Sequence, residues 1–498
     1  MKLLDFTEKH PALLFGISAT FGALLYFEQA VWPAAAWICT LFFLSWKRAL
    51  LQTTCLLLFA LYSHILFSSP PLPSEGKAVF AIHSVQRTRS PFSSGWLYQG
   101  ELRAFESKTG RWPCTVIYKG KGSLRPKANC DYLLEGALRQ RGPFNFSLKA
   151  KEWKPIEGTF SLAEIRMKAK EKIRSLLQRH MEIRPANFLT ALFTGELEDR
   201  MLRFEFSRLG LQHILAISGF HFALVAAFAA YFLRHLFPYR PRLIALLGLA
   251  TLYFVLVGNS PPVLRSFLAA ALFLFGRFLG RRSSGLNLLG ACLLFEIAID
   301  PLSVMQLGFQ LSFLSCAAIL LLSAPIRLAL LPLFPKRTLK EAASLPFFSQ
   351  FATVCLSFFV SALSLTLAVN LALLPLLLHQ FHRFPLLSLL YNLFIPPLSA
   401  LCLLLTLPAL ALAPLSPLFS IPFFKTAGFF AGELLEIVGH PPALLDVVIS
   451  LALPGWVLAP WLFILFLLGV YFQERELQLF PFSGKKDVHF HGGRSSVG

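Results

Sequence analysis

Apolar residues occur in long runs along most of the chain. A helix needs roughly 20 apolar residues to cross a bilayer. Runs near that length lie at residues 13–27, 30–46, 49–67, 211–237, 243–257, 262–279, 286–299, 304–323, 346–378, 386–412, 419–438 and 451–472. Several are too short or too rich in proline to be simple spans. The pattern predicts a polytopic α-helical membrane protein with about 11 or 12 spans, some of them broken.

Residues 71–160 lack these runs and alternate apolar with polar positions instead. Alternating segments bounded by Gly, Pro and Ser lie at residues 78–85, 95–105, 112–118, 131–138 and 144–153. Such a period of two predicts five strands. Five short strands in this length fit a small closed or partly open β-barrel of the OB type, inserted between the spans.

A third pattern follows the strands, where apolar residues recur at helical spacing. They are Leu162, Ile165, Ala169, Ile173, Leu176 and Leu177, and most of the nearby Lys and Arg fall elsewhere on the helix. The spacing predicts an amphipathic helix within residues 161–188. Its apolar stripe would lie on the outer face of the bilayer or dock on the transmembrane bundle.

Basic loops orient the chain, because Lys and Arg near span ends stay cytoplasmic. Lys47 and Arg48 place the loop after the second span inside, so residues 68–210 lie outside. The predicted parts are therefore transmembrane helices at 1–70, an extracytoplasmic β domain at 71–160, a helix and linker at 161–188, a transmembrane domain at 189–472 and a cytoplasmic tail at 473–498.

Composition agrees with a membrane protein, since 55% of residues are hydrophobic and 14% charged, against about 25% charged in soluble domains. Much of the net charge of +20 reflects the basic loops. Residues 71–160 carry 15 Lys or Arg against 7 Asp or Glu, interleaved with Trp96, Tyr98, Trp112, Tyr118, Phe144 and Trp153. Such a surface holds single-stranded nucleic acid. Alternatively, the aromatics form the barrel core and the charges solubilise it.

Two of the eight cysteines lie in the predicted extracytoplasmic domain, Cys114 and Cys130. That compartment permits oxidation, so we expect them to form a disulfide. No second cysteine pair or nearby histidine completes a metal site there, and the tail segment His489-Phe490-His491 has no further ligand after it. We therefore expect no metal and no cofactor.

A few polar residues interrupt the apolar runs, and they are the candidates for a polar path through the membrane. They are His213, Ser218, His221, Asn259, Arg265, Gln306, Gln310, Asn370 and Asn392. Prolines such as Pro375 and Pro396 break helices, which lipid permits only where the backbone is buried or lines a water-filled cavity. The alternative is that these polar groups join helices to each other by hydrogen bonds.

Residues 209–221, LGLQHILAISGFH, resemble the signature of the ComEC-type DNA-internalisation proteins of natural bacterial competence, which has the form GL.HLLAISG.H. Blocks resembling the same family occupy residues 191–210, 258–290, 300–320 and 379–400, in the family's order. The resemblance covers roughly residues 189–412. It implies an OB-like domain at 71–160 and a competence-type channel domain at 189–472.

The resemblance implies an inner-membrane channel that passes single-stranded DNA into the cytoplasm during natural transformation, and not an enzyme. Its partners would be single-stranded DNA, the lipid bilayer, a periplasmic DNA receptor, a cytoplasmic translocation motor and a second copy of the chain. Many members continue into a metallo-β-lactamase-like domain. We expect this chain to lack such a domain and any nuclease step to come from another protein or from elsewhere in this one.

Two other functions remain open at this point. A broken-helix permease for a smaller solute would need intramembrane acids for ion coupling, and Glu296, Glu433 and Glu436 are the ones available. An intramembrane hydrolase could use Ser218 as nucleophile and His221 as base. It would also need a group to orient the histidine, and no local Asp or Glu supplies one.

Overall fold

The computed structural model describes residues 2–28, 30–67, 74–89, 94–106, 108–119, 125–142, 144–281, 284–333, 346–442 and 446–479. Within them the chain forms a predominantly helical bundle with one small sheet domain. The tail histidines at 489 and 491 and the basic residues at 485 and 486 lie outside the described residues.

The first part of the bundle contains four helices in the order α1 (Lys2–Lys9), α2 (Pro11–Phe27), α3 (Val31–Leu44) and α4 (Trp46–Phe67). The five predicted strands follow as β1 (Glu75–Arg89), β2 (Ser94–Phe105), β3 (Lys108–Tyr118), β4 (Tyr132–Gly142) and β5 (Asn145–Pro155). Buried positions alternate with accessible ones along β3 and β4. This is why the period-two pattern of the sequence predicted these strands.

Four helices then lead into the second part of the bundle: α5 (Ala163–His180), α6 (Ile183–Thr194), α7 (Arg200–Arg208) and α8 (Gln212–Leu215). The long helices are α9 (Gly219–Leu236), α10 (Tyr239–Val257), α11 (Pro261–Phe278), α12 (Gly285–Ile299), α13 (Leu307–Leu330), α14 (Phe347–Phe381), α15 (Leu387–Leu412), α16 (Pro417–Gly439) and α17 (Leu458–Leu479). Two short strands, β6 (Arg383–Pro385) between α14 and α15 and β7 (Val448–Ser450) before α17, pair as a small antiparallel sheet.

Nine helices in the described part of the chain are long and apolar enough to cross a membrane. Three shorter apolar helices, Pro11–Phe27, Val31–Phe42 and Gly285–Ile299, lie at three of the remaining predicted spans. The prediction of a multi-pass helical membrane protein is confirmed at this level.

The strands of the sheet domain pair in the order β1-β2-β3-β5-β4, and β4 pairs again with β1. All neighbours are antiparallel except β3 and β5, which pair in parallel over three residue pairs only. The pairing is thus a closed but uneven ring. Its interior is filled by buried apolar side chains, including Phe80, Tyr98, Leu102 and Val116.

The sheet domain lies at one end of the bundle. Phe144, in the turn before β5, packs against Phe27 at the end of α2 and Phe67 at the end of α4, with ring centroids 4.9 and 5.9 Å apart. At the opposite end Arg48 forms an ion pair with Glu8, with 2.6 Å between Nη2 and Oε1. The cationic loop of the second span therefore lies at the far end from the sheet domain, as the basic-loop pattern predicts.

Helix α5 connects the sheet domain to the bundle. Ala163 and Met167 at its start belong to the core of the sheet domain, whereas Leu177 near its end is fully buried in the core formed by α6, α7, α15 and α16. Of the two positions open to this amphipathic helix, the structure therefore has it docked on the protein.

Cys114 and Cys130 are free thiols in this structure, so the disulfide between them stays a prediction. Cys114 is buried in β3, whereas Cys130 is half-buried just before β4. Burial raises the pKa of the Cys114 thiol to about 12. Because the thiolate is the reactive form in disulfide exchange, this side chain is poorly placed for oxidation.

We expect the sheet domain to be accessible from outside the cell, because basic loops are retained in the cytoplasm. A cysteine in place of the exposed Arg139 on β4 should react with a membrane-impermeant maleimide in intact spheroplasts. A cysteine in place of Leu333, which is 75% exposed beyond the end of α13, should react only after permeabilisation. The unsubstituted protein corrects for the native thiols. Equal labelling of both positions in intact spheroplasts would contradict this orientation.

Candidate functional site

The signature segment forms a broken helix. It consists of the single turn α8, an extended connection through residues 216–218, and the start of α9 at Gly219. The backbone at Gly210, just before α8, has φ +69°, and a Cβ there would lie 3.0 Å from Cγ of Pro385. Only glycine fits this left-handed position against the start of α15. The break is therefore held by packing within the protein, which a membrane environment requires.

Ser218 and His221 begin α9. The Ser218 backbone N–H donates to Nδ1 of His221 over 3.2 Å, and the Ser218 hydroxyl lies 3.2 Å from the same nitrogen. His221 is only 4% exposed. The Ser218 side chain also accepts from the backbone of His221, so the two residues form a capping box. Capping the start of α9 is thus a structural role for both polar residues.

Helix α11 places Arg265 beside this helix start. A Cβ built at Gly219 would lie 3.6 Å from Nη2 of Arg265. The guanidinium is held from α13, because Nε donates to the Ser312 hydroxyl and Nη1 to the Cys316 sulfur, both over 2.7 Å. Arg265 is only 8% exposed, so it lies within the bundle and not at an open mouth.

The electrostatics of this site favour an anion. The amino end of α9 carries a positive partial charge from the helix dipole, and the guanidinium of Arg265 lies next to it. Both hydrogen bonds that fix the guanidinium go to neutral acceptors, so they orient the cation without neutralising it. An anion entering here would meet a fixed positive charge in a medium of low dielectric constant, where the attraction is strong.

A buried acid lies on α12, which packs against α11. Glu296 on α12 is 1% exposed, and neither carboxylate oxygen has a hydrogen-bond partner among the described residues. The charge of Arg265 acts on it electrostatically. The sequence named Glu296 as an acid available for ion coupling in a permease and gave no reason to single out Ser312 or Cys316. Their spacing of four residues on α13 was the only available signal.

The other predicted path residues do not join this site. His213, Asn259 and Gln306 are exposed, on α8, after α10 and before α13 respectively. Two of the amides bind backbone close to them: Gln310 donates to Val304 O over 3.0 Å and Asn370 to Thr366 O over 2.8 Å. Such bonds are a structural use of a polar side chain.

Asn392 on α15 is different, because its buried Oδ1 has no hydrogen-bond partner in the described part of the chain. The buried hydroxyl of Ser388, one turn earlier, is in the same state. Pro396 lies one turn later, so the Asn392 carbonyl also lacks its usual helical donor. This stretch of α15 thus presents several hydrogen-bond acceptors inside the bundle.

The basic face of α5 has structural partners. Arg166 donates through Nε to Val255 O over 2.7 Å, and Lys170 donates to Val257 O over 2.8 Å and to Glu196 over 3.1 Å. These cations satisfy the final carbonyls of α10, where the helix dipole favours positive charge. Burial lowers the pKa of Lys170, and Glu196 opposes that effect.

The sheet domain carries an open cleft of about 470 Å³. It is lined by Arg125, Pro126, Lys127, Asn129, Cys130, Tyr132, Trp153 and Pro155. Trp153 is half-buried, with its ring centroid 5.4 Å from that of Tyr132, and Lys127 is exposed. Arg125 is paired with Glu164 at 2.8 Å.

The aromatic residues of the domain therefore divide between the barrel core and a surface open to a ligand, the two alternatives that the sequence left open. Tyr98 and Trp112 are buried in its core, whereas Trp96, Tyr118, Phe144 and Trp153 are half-buried. Trp153 is the one that lines the cleft together with an exposed lysine.

No group of three or more His, Cys, Asp or Glu side chains in the described ranges is arranged to hold a metal ion. The polar groups at the helix break are one imidazole, one guanidinium, hydroxyls and a single carboxyl group. This set binds anions and protons more readily than it binds metal ions.

Comparison with known proteins matches residues 194–476 to the model of a family described as Competence protein. ComE operon protein 3 of Bacillus subtilis (strain 168) is 28% identical over 218 residues, which are 43% of this chain and 25% of that protein. Competence protein ComA of Neisseria gonorrhoeae is 38% identical over 127 residues, 23% of this chain and 18% of that protein.

The uncharacterized protein YcaI of Escherichia coli (strain K12) is 31% identical over 119 residues, 22% of this chain and 16% of that protein. The chain thus matches at most 25% of the length of these curated relatives. No solved structure matches it.

The capping geometry predicts that Ser218→Ala weakens the start of α9 without removing a chemical step. We expect a loss of about 1 kcal/mol in stability, typical of a lost N-cap, with most entry of labelled DNA into cells retained. Ser218→Asn keeps a capping side chain and serves as the control. Thermal unfolding of the detergent-solubilised protein measures the first effect. Complete loss of entry together with labelling of Ser218 by a serine-reactive probe would favour the hydrolase instead.

Proposed function

The chain belongs to the Competence protein family, and on that basis we propose that it passes single-stranded DNA across the inner membrane during natural transformation. In this proposal the sheet domain receives the strand outside the cell membrane and the helical bundle forms its path. The protein transports DNA and does not catalyse a reaction.

The observation that carries this proposal is the position of Arg265. A buried, unneutralised guanidinium lies beside the amino end of α9, at a break in a membrane helix. Charged groups inside membrane bundles are costly and mark the paths of ions and substrates. A phosphate group is the anion that a DNA strand would bring to this point. The acceptors near Asn392 on α15 add polar surface within the same bundle.

The sheet domain supports the receiving role. We propose that it is an OB-type barrel, because five strands pair in the order β1-β2-β3-β5-β4 with a parallel contact between β3 and β5. The cleft beside Trp153 offers an aromatic face for a base, and Lys127 offers a cation for a phosphate. Stacking of this kind accepts any base and needs no sequence preference.

Helix α5 supports the link between receiver and path. Its Arg166 contacts both parts, since Nη1 donates to His83 O of β1 over 2.8 Å and Nε donates to the end of α10. The sheet domain is thus tied to α10, which leads through Asn259 into α11 and Arg265. Two exposed lysines of α5, Lys168 and Lys172, remain at this junction to attract a polyanion.

The contacts of Ser218 and His221 favour a role in transport over a role in catalysis. In a serine hydrolase the histidine accepts the serine proton and is oriented by an acid through its other nitrogen. Here Nδ1 of His221 already accepts the backbone N–H of Ser218. No hydrogen bond from Nε2 to an acid is found among the described residues.

We further propose that the chain works with other proteins of DNA uptake. A periplasmic DNA receptor would deliver the strand, and a cytoplasmic motor would draw it inwards. A second copy of the chain could complete the path.

Neutralising the buried cation should block passage. We expect Arg265→Gln to reduce entry of labelled DNA into the cytoplasm by about tenfold or more, because losing a buried charge contact costs about 2–5 kcal/mol. Binding of DNA at the cell surface and the amount of protein in the membrane should not change. Arg327→Gln, which neutralises an exposed arginine on α13, is the matched control. Normal transformation by a stably expressed Arg265→Gln protein would remove Arg265 from the path.

Removing the aromatic wall of the cleft should weaken DNA binding. We expect Trp153→Ala to reduce the affinity of the full-length protein in nanodiscs for a single-stranded oligonucleotide by about 5- to 150-fold, since stacking contributes about 1–3 kcal/mol per base. Phe160→Ala, which removes an aromatic ring that is 71% exposed, is the control. Binding to the unsubstituted protein should weaken as salt rises. Unchanged affinity in Trp153→Ala would exclude the cleft as a DNA site.

A further inference from the structure

The second part of the bundle begins with a long stretch that has no acidic residue. No Asp or Glu occurs from residue 206 to residue 295, which includes α9, α10 and α11. Besides Arg265, these helices and the turn after α11 carry Arg234, Arg240, Arg242, Arg277 and Arg281. The positive charges of these arginines therefore have no acidic partner close to them in the sequence.

Two of these arginines, from different helices, meet at one tyrosine. Arg277 near the end of α11 donates through Nε to the hydroxyl of Tyr239, the first residue of α10, over 3.1 Å. The Cζ atom of Arg277 lies 6.0 Å from the centroid of the Tyr239 ring, and Cζ of Arg242 lies 5.5 Å from the same centroid. We call Tyr239, Arg242 and Arg277 the arginine–tyrosine cluster.

The end of α11 holds a further cation beside this cluster. Gly280 adopts the left-handed conformation with φ +70°. Its N–H donates to Arg277 O over 3.1 Å, and the next N–H, that of Arg281, donates to Gly276 O over 2.9 Å. This pair of hydrogen bonds is the Schellman motif that ends many helices. The turn thus fixes the backbone of Arg281 next to the last turn of α11.

The helix dipoles account for only some of these cations. The negative end of α11 favours Arg277 and Arg281, but the positive end of α10 disfavours Arg240 and Arg242. The first turn of α10 contains no acidic residue to offset them. Retention of basic loops inside the cell accounts for positive charge at this end, but it does not require two guanidinium groups at one ring. An anion shared by the cluster would offset their mutual repulsion.

The cluster lies at the membrane surface opposite the sheet domain. The last carbonyl groups of α10 accept hydrogen bonds from Arg166 and Lys170 of α5, which joins the sheet domain. The 19 residues of α10 span about 28 Å at about 1.5 Å per residue. This length matches the hydrocarbon core of a bilayer, which is about 30 Å thick. The first turn of α10 therefore lies at the other surface.

Apolar rows that face away from the protein lead to the cluster. Ile244 lies one turn after Arg240 on the same face of α10 and is 62% exposed. Phe273 lies one turn before Arg277 on the same face of α11 and is 53% exposed. In a membrane protein such rows contact the acyl chains of lipids. The buried Arg265 lies about 18 Å away along the axis of α11, so the cluster is separate from the site at the helix break.

We propose that the arginine–tyrosine cluster binds the phosphate group of an anionic phospholipid at the membrane surface opposite the sheet domain. The phosphate oxygens accept hydrogen bonds from Arg242 and Arg277, and Tyr239 orients Arg277 through its hydroxyl. The acyl chains lie along the exposed apolar rows of α10 and α11. Basic pockets between membrane helices recognise phospholipid headgroups in this way.

Lipid binding to the full-length protein tests the two arginines. Native mass spectrometry of the detergent-solubilised protein follows titration with phosphatidylglycerol and, separately, with the zwitterionic phosphatidylcholine. We expect Arg277→Gln and Arg242→Gln each to weaken phosphatidylglycerol binding by about tenfold or more, as for a lost hydrogen bond between charged groups. Binding of phosphatidylcholine should not change.

Arg327→Gln is the matched control for charge. Arg327 is exposed near the end of α13, and the start of α13 at Gly308 lies beside Pro262 at the start of α11, so Arg327 and Arg277 lie at the same end of the bundle. Arg327→Gln should bind phosphatidylglycerol like the unsubstituted protein. Equal losses in Arg327→Gln and Arg277→Gln would show attraction to a diffuse basic surface and would overturn the site.

A change at the tyrosine separates geometry from net charge. Tyr239→Ala leaves every arginine in place, yet we expect it to weaken phosphatidylglycerol binding by about threefold or more, because it removes the ring and the hydroxyl that position the guanidinium groups. Tyr231→Ala is the control, since Tyr231 is also exposed and lies 4.3 Å from Cζ of Arg234 at the end of α9. Unchanged affinity in Tyr239→Ala would contradict a built site.

Competition identifies the occupant of the cluster. Neither inorganic phosphate nor a single-stranded oligothymidylate, at the concentration of the lipid, should displace phosphatidylglycerol, because neither carries acyl chains. Displacement by phosphate would make the cluster a site for free anions. Displacement by the oligonucleotide, with the same dependence on Arg277, would make it a DNA-binding surface. Either result would overturn the assignment to a lipid.

Crosslinking of the unsubstituted protein does not depend on the folding of a variant. Phosphatidylglycerol with a photoreactive group in its acyl chain is added to the protein in phosphatidylcholine nanodiscs, and mass spectrometry locates the crosslinks after irradiation. We expect them to concentrate on α10 and α11 near Ile244 and Phe273. Crosslinks spread evenly over the exposed apolar helices would contradict a specific lipid site.

Discussion

The hydrocarbon interior of a bilayer offers no hydrogen-bond partners, so every polar group there has to be satisfied by the protein or be used by it. This constraint accounts for the helix break at the signature segment. The unwound residues before α9 are held by Gly210 against α15 on one side and by the Ser218–His221 cap on the other. Arg265 is fixed because it donates hydrogen bonds to two neutral acceptors on α13. A buried polar group that has no hydrogen-bond partner in the described residues is therefore a candidate for a functional role.

Two of the buried groups without a partner in the described ranges lie on helices of the second part of the bundle. Glu296 on α12 and Asn392 on α15 keep buried oxygens without partners in the described ranges. Most other polar side chains examined as path candidates bind nearby backbone or are exposed. A conduit for a polyanion needs fixed positive charge and exchangeable partners, and these residues provide both within one bundle.

The sheet domain and the bundle are mechanically connected. Helix α5 contributes side chains to both hydrophobic cores, and its buried cations close the last turn of α10. The basic face of α5 is therefore partly committed to holding the structure together. The exposed Lys172 and the cleft beside Trp153 are accessible to a ligand.

The sequence by itself determined the elements, because apolar runs and period-two alternation are local properties of neighbouring residues. It predicted the helical membrane class, all five strands and the helix after them. Only the tertiary structure decided which polar residues meet. Arg265 of α11 meets Ser312 and Cys316 of α13 because these two helices, which are not neighbours in sequence, pack together. Ser218 and Cys114 show the same dependence on tertiary structure, since a hydroxyl or thiol takes its chemistry from the neighbours that packing supplies.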